Sequence, residues 1–319
     1  MANDSPPQQK PAIELEDGQQ EKGVTIRELV TEPALDINLE VLSGHSNLGK
    51  KICSPKVQKL GMALFGASGD VHHDRVQIVG ESESNYLQSM EPEERTVVIQ
   101  RLKKYDFCCV VVMQGLEVPA EFYAFFEQAQ IPLIRSGDNG VITVARLTRY
   151  LENRLAPRIT IHGVLLEVFG LGVLILGPSG IGKSECALEL VLKGHRLIAD
   201  DYVDITRHGI DRLSGEGGKV LKHHMELRGL GIINIRDLFG ISATGTAQTL
   251  DFVVRLERWK SDGEYDRLGL EHSTIEFLDV PVPVMDMPVA PGRNVATLVE
   301  IAARIHLLRQ RGYKTNNIE

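Results

Sequence analysis

The sequence predicts a two-domain α/β protein, with a small N-terminal α/β domain followed by an α/β domain built around a phosphate cradle. Three observations carry this. The chain has 319 residues, more than the about 100–200 residues one domain usually needs. Up to about residue 150, short apolar runs alternate with segments of helical period, as in a small parallel sheet. At 177–184 a glycine-rich string stands between an apolar run and a helical pattern.

The elements follow in order. Residues 1–22 are rich in Pro, Gln and Glu, bury too little apolar surface to offset ordering entropy, and are expected to form a disordered tail. The first domain is expected over 23–153. TIRELV, from Thr25, starts a helix. RVQIVG (Arg75–Gly80) is a strand, and Pro92–Tyr105 a helix with Val97, Val98, Ile99 and Leu102 at near-helical spacing. The continuous apolar run Phe107–Met113 fits a strand covered on both faces. Pro119–Ala129 is a helix with proline at its start, Pro132–Arg135 a short strand and Val141–Leu155 a helix. His72 and His73 are adjacent and read as a solvated loop.

The second domain is expected over 154–319, after a linker at RLAPR (Arg154–Arg158) punctuated by Pro157. It opens on two strands, ITIHGVLLEVFG and LGVLILG, joined at Gly170. Val280–Arg293, rich in Pro and Val, suits edge strands and loops. Asn294–Arg311 is a final helix with Val295, Leu298, Val299, Ala302 and Ile305 on one face, stopped at Gly312.

Composition narrows the function. Lys and Arg number 35 against 43 Asp and Glu, a net charge of −8, which argues against a nucleic-acid partner. The longest apolar stretch, Val164–Gly177, is 14 residues and contains Glu167, short of the about 20 that a membrane span needs. The first 23 residues have no apolar export core. Cys53, Cys108, Cys109 and Cys186 lack metal-ligand spacing and read as reduced core thiols of a cytoplasmic protein.

The string Gly177, Pro178, Ser179, Gly180, Ile181, Gly182, Lys183, Ser184 fits G-x-x-x-x-G-K-[ST] in full. Val173–Leu176 runs into it and Glu185–Lys193 runs out. Glycines let the backbone wrap with its N–H groups inward, and those groups at a helix N-terminus favour a polyphosphate. Lys183 then reaches the outer phosphates and Ser184 places its hydroxyl on Mg²⁺.

HRLIADD (His195–Asp201) ends a short strand in two carboxylates, 17 and 18 residues past Lys183. Strand alternation sends them to opposite faces, one to the metal shell through water and one to the acceptor hydroxyl. The neighbouring carboxylate of Asp200 works to raise the pKa of Asp201, and Mg²⁺ to oppose that. His162, 21 residues before Lys183, reads by itself as a packed or surface histidine. Glu226, Arg228, Gly229 and Gly231 suit a metal–phosphate site, and equally a tight turn before a buried strand. Arg267, in the charged string DRLG, is either a solvent-facing loop residue or a guanidinium that neutralises a transferring phosphoryl group.

The strings IHG at 161–163, GPSGIGKSE at 177–185, GHRLIADD at 194–201, ELRGLGIIN at 226–234, DRLG at 266–269 and PVAPGRN at 288–294, in this order, resemble the bifunctional HPr kinase/phosphorylase family. The resemblance implies a cytoplasmic homohexamer that phosphorylates a serine of the phosphocarrier protein HPr with ATP or pyrophosphate. It also implies removal of that phosphate by inorganic phosphate, releasing pyrophosphate. It implies a P-loop catalytic domain similar to the phosphoenolpyruvate carboxykinase core. By motif position His162, Lys183, Asp201 and Arg267 fall on the family's active residues, and Ser184 and Glu226 on its Mg²⁺ ligands. Residues 225–234 match a stretch used in both reactions and 288–293 one important for dephosphorylation. One departure is Ala290, where several relatives carry Lys or Arg. A P-loop kinase of a small hydroxyl metabolite, without a protein substrate, is the alternative reading. A nucleotide-sensing scaffold is a third, and the paired carboxylates argue against it.

Overall fold

The computed structural model describes residues 15–16, 23–66, 71–218, 222–259, 273–290 and 292–313. They fall into two compact units, 23–156 and 157–313, the second also taking 15–16.

In the first unit, Leu39–Ser43, Leu133–Ser136, Cys109–Val112, Val76–Val79 and Val57–Lys59 form one sheet in that order. The last four strands run parallel, and Leu39–Ser43 lies antiparallel at the edge. Every residue of Val76–Val79 and Cys109–Val112 is buried, which is why both read as unbroken apolar runs. Helices of this unit start at recognisable signals. Thr25 and Glu28 form a reciprocal capping box for Ile26–Thr31, and the Asn139 side chain accepts from the Val141 N–H at the start of Gly140–Leu155. His72 and His73 are exposed beside the sheet.

The second unit stacks two sheets under helices. A six-stranded sheet runs Arg196–Ala199, Val164–Val168, Leu171–Leu176, Phe252–Arg258, Val280–Val289, Ser273–Phe277. All of Leu171–Leu176 is buried, and its residues alternate between two cores. Leu171, Val173 and Ile175 pack with Cys186, Ala187, Leu190 and Val191 of the helix Lys183–Leu192 and with Ala296, Val299, Ala302 and Ala303 of the final helix Val295–Gln310. Leu174 and Leu176 face the second sheet through Ile161, Val203, Ile205 and Leu213. That sheet runs Leu15–Glu16, Arg158–His162, Tyr202–His208, Arg212–Gly217, Ala247–Thr249.

Strand direction places the functional groups. Leu171–Leu176 is parallel to Phe252–Arg258, which is parallel to Val280–Val289. Arg196–Ala199 runs the same way, because it and Leu171–Leu176 are both antiparallel to Val164–Val168. Four strands therefore point their carboxyl ends to one edge, where α/β sheets hold ligands. The segments leaving that edge begin at Gly177, Asp200, Trp259 and Ala290.

Several expectations change. Leu15–Glu16, inside the stretch expected to be a disordered tail, pairs antiparallel with Ile161 and Thr160. ITIHGVLLEVFG is two strands in different sheets, broken at Gly163. A side chain there would meet the Leu176 Cδ2 at 3.0 Å and the Ile175 carbonyl oxygen at 3.1 Å, tight contacts that glycine avoids where the chain crosses. Val280–Val289 is a ten-residue inner strand, although proline favours edges. The conflict resolves along its length: Pro281 and Pro283 lie opposite Glu276 and Thr274, whereas pairing on the other side begins at Val284. Proline thus occupies the half that has one neighbour. Cys53 is exposed, while Cys108, Cys109 and Cys186 are buried as expected and all four are free thiols. Among the described residues no helix is long and apolar enough to cross a membrane.

Candidate functional site: a phosphate-shaped edge

The Gly177–Ser184 loop leaves the sheet between a fully buried strand and a ten-residue helix. Gly177 has φ +151°, and a Cβ there would sit 2.8 Å from the Leu256 carbonyl oxygen. Gly180 has φ +76°, and a Cβ there would sit 2.5 Å from a terminal nitrogen of Arg228. At Gly177 the neighbour is backbone, so only glycine combines that φ with so close an approach; at Gly180 the neighbour is the movable end of Arg228, and it is the positive φ that favours glycine. The helix N-cap is Gly182, with no side-chain cap, so its first N–H groups are left for an anion. The Lys183 ammonium folds back over the loop, donating to the carbonyl oxygens of Gly177 at 2.8 Å and Pro178 at 3.3 Å. Burial pushes its pKa below the usual lysine value, while Asp200, Asp201 and Glu185 pull it back up.

The two aspartates diverge, and not by strand alternation. The strand ends at Ala199. Asp200, Asp201 and Tyr202 then make a three-residue turn closed by the Tyr202 N–H donating to the Asp200 carbonyl at 2.9 Å, with Asp201 at φ +70°. This positive-φ γ-turn is a rare, strained form, and such strain gathers at functional sites. The Gly163 N–H anchors it by donating to the Asp201 carbonyl at 3.0 Å.

Asp200 turns inward. Its carboxylate accepts from the Ser184 hydroxyl at 3.0 and 3.3 Å and from the Glu226 backbone N–H at 3.4 Å. Burial pushes its pKa up to about 6, against the lowering effect of those two donors. Asp201 turns outward, its Oδ1 3.3 Å from Nδ1 of His162, whose ring lies 4.2 Å from that of Tyr202. The carboxyl held above its usual range is that of Asp200, with burial the largest cause and the neighbouring Asp201 charge adding to it.

The remaining candidates fall as follows. Glu226 reaches Asp200 through its backbone, and its residue is exposed on a hairpin of His224–Leu227 and Gly231–Asn234. The strand after that turn is not buried, since Ile232 is 62% exposed. Arg267 lies outside the described residues. Arg228, a candidate for a metal–phosphate turn by sequence, lies over Gly180 because its hairpin folds back over the loop; Tyr202 beside His162 was not legible, because it depends on a turn that propensity does not encode. Among the described residues no group of three or more His, Cys, Asp and Glu side chains gathers as a metal cage. Ser184 and Asp200 instead offer adjacent hard oxygens, which suits Mg²⁺ held by few protein ligands and by phosphates.

The buried charge of Asp200 has a measurable cost. In the unfolded chain it loses its proton near 3.8, in the folded chain near 6. Between these values the folded state holds more protons, so stability falls as pH rises, by up to about 3 kcal/mol. The cost is absent below the lower value and complete above the upper one. Asp200→Asn in chelator is therefore expected to raise Tm at pH 8, with the gain vanishing towards pH 4. Equal gains at both pH values in thermal melts contradict this.

Backbone N–H groups, an ammonium, a serine hydroxyl and an outward carboxylate thus share one sheet edge. Such an arrangement suits phosphoryl transfer, in which the protein positions and neutralises charge more than it forms bonds. The class these features define is an α/β phosphotransferase. Comparison with known proteins gives the family. Residues 24–151 match the HPr Serine kinase N terminus and residues 153–318 the HPr Serine kinase C-terminal domain. The chain is 43% identical over 290 residues to the HPr kinase/phosphorylase of Geobacter sulfurreducens, covering 91% of each. It is 40% identical over 278 residues to that of Caldanaerobacter subterraneus subsp. tengcongensis, covering 87% of this chain and 91% of the other. A solved HPr(Ser) kinase/phosphatase from Coxiella burnetii is 33% identical, covering 48% of this chain and 93% of its own, with TM-score 0.46. The chain belongs to the HPr kinase/phosphorylase family and is an enzyme of that kind.

Proposed function

We propose that this chain transfers a phosphoryl group from ATP or pyrophosphate to a serine of HPr, and returns it to inorganic phosphate to give pyrophosphate. The observation that carries the proposal is the outward Asp201 carboxylate, backed by His162, at the same sheet edge as the Gly177–Ser184 loop.

Gly177, Pro178, Ser179, Gly180, Ile181 and Gly182 wrap the donor's phosphates with backbone N–H groups, as a P-loop does. Lys183 leaves the Gly177 and Pro178 carbonyls and meets the outer phosphates. Ser184 and Glu226 are the proposed Mg²⁺ ligands, with Asp200 beside them; the buried, proton-holding Asp200 fits a place where a cation keeps a carboxylate ionised. Mg²⁺ supplies charge neutralisation to the phosphates when bound. Asp201 takes the proton from the serine hydroxyl as the serine oxygen bonds to the transferred phosphorus and the bond from that phosphorus to the departing ADP or inorganic phosphate breaks. In phosphorolysis the same carboxyl returns that proton to the serine oxygen as the serine–phosphorus bond breaks and inorganic phosphate takes the phosphoryl group. His162 holds Asp201 in position. Arg267 is the proposed guanidinium on the transferring group.

Four free cysteines support a reducing, cytoplasmic setting. The family resemblance supports a homohexamer and a core similar to that of phosphoenolpyruvate carboxykinases. The experiment that tests the proposal is incubation with γ-labelled ATP and Mg²⁺, offering purified HPr in one arm and free hydroxyl metabolites in another. Label is expected on HPr, and on a serine. Label on a small hydroxyl compound with none on HPr overturns it.

A further inference from the structure

An aromatic side chain stands beside the outward carboxylate. Tyr202 opens the strand Tyr202–His208, and its direct partner across the antiparallel pair is His162, the last residue of Arg158–His162. The register of this pair is fixed from both faces of the sheet. Ile161 and Val203 are buried in the core on one face. On the other, the next pair along is Thr160 and Asp204, where the hydroxyl donates to the carboxylate at 2.6 Å. A slip of one residue would carry Tyr202 or His162 into the core, so the pattern that buries their neighbours also brings the two rings together.

The contact has a mechanical consequence. The His162 side chain is 46% exposed and that of Asp201 68%, so neither is held by burial. An imidazole at the end of a strand keeps its rotamer freedom unless a neighbour removes it. The Tyr202 ring is that neighbour: the ring centres are 4.2 Å apart and the planes tilted by 41°, so the imidazole cannot swing off Asp201 without giving up an aromatic pair. The backbone of the same residue closes the γ-turn that presents Asp201, its N–H donating to the Asp200 carbonyl at 2.9 Å. Tyr202 thus sets the carboxylate through its main chain and the imidazole through its ring. Among the described residues its hydroxyl makes no hydrogen bond, so the hold belongs to the ring.

We propose that Tyr202 is a positioning residue whose ring holds the His162 imidazole against Asp201, so that the carboxylate stays aimed at the acceptor serine. The assignment rests on the proposed function for its kinetic arm only.

Hydrogen exchange at Cε1 of His162, read by mass spectrometry of peptides from the full-length protein, reports how the ring is covered and needs no turnover. Tyr202→Leu is expected to speed that exchange about threefold or more, and Tyr202→Phe to leave it near the wild-type rate. An unchanged rate in the Leu variant, or a Phe variant as fast as Leu, overturns the proposal whether or not the enzyme turns over. The kinetic arm follows phosphorylation of HPr, with the variants checked for folding by circular dichroism. Leu is expected to lower kcat about three- to tenfold, the weight of one aromatic pair, with the KM for ATP unchanged, and Phe to restore most of the loss. In a His162→Gln background the Leu substitution is expected to cost nothing further, because Tyr202 acts through that imidazole. Full kcat in the Leu variant, the same loss with and without His162, or no rescue by Phe overturns the proposal. Wild-type protein inactive towards HPr instead refutes the proposed function, and the exchange rates still decide whether Tyr202 holds the ring.

Discussion

Asp201→Asn is expected to lower turnover in both directions by about 10²–10⁴-fold while nucleotide still binds. The expectation follows from position. Asp201 is the outward member of the turn, exposed, and touched by His162 rather than by the loop. It is separate from the hydrogen-bonded Ser184–Asp200 pair. Asparagine keeps the size, and the γ-turn and its Gly163 anchor are closed by backbone groups, so both survive. What it loses is the ability to take a proton from serine and give it back. In the proposed mechanism one carboxyl serves both directions, so the two losses should be similar. Single-turnover assays with HPr and with phosphoserine-HPr, beside nucleotide binding by equilibrium dialysis, measure this. Full phosphorolysis in the variant sinks the shared-proton idea, and loss of nucleotide binding shows that Asp201 serves the loop instead.

Lys183→Ala has the second large effect: transfer from ATP and from pyrophosphate is expected to fall together, by about 10²–10³-fold. The ammonium lies on the Gly177 and Pro178 carbonyls, already partly withdrawn from water, which is why its pKa is lowered. A cation desolvated in advance interacts strongly with phosphate when it swings to it, since little water need be removed. Both donors present the same paired phosphates, so both should suffer. Steady-state kinetics with each donor reads the outcome. A loss confined to ATP contradicts a common cradle and points to contacts with the nucleoside.

Much of this was legible in the sequence for physical reasons. Cys109–Val112 and Leu171–Leu176 are buried on both faces, so they leave continuous apolar runs. The loop was legible because its shape favours glycine at Gly177 and Gly180, which leaves a local spelling. The pairing of Asp201 with His162 was not, because it joins the end of one sheet to a strand of another across a glycine break at 163. Strand alternation suggested that Asp200 and Asp201 part ways; a strained turn is what parts them, and propensity does not encode that turn. Pro281 and Pro283 implied an edge, and the strand is an edge only over that half. Contacts between distant segments, such as Arg228 over Gly180 and Arg293 over Trp259, carry no local signal at all.

The two directions are one reaction only if the phosphate leaves HPr by the route it came. The most direct measurement labels HPr on its serine with this enzyme, Mg²⁺ and γ-labelled ATP, removes the nucleotide, and adds unlabelled inorganic phosphate. The label is expected in pyrophosphate, released in step with the loss of phosphoserine. Label released as inorganic phosphate would mean that water is the acceptor, and would contradict a single site run both ways.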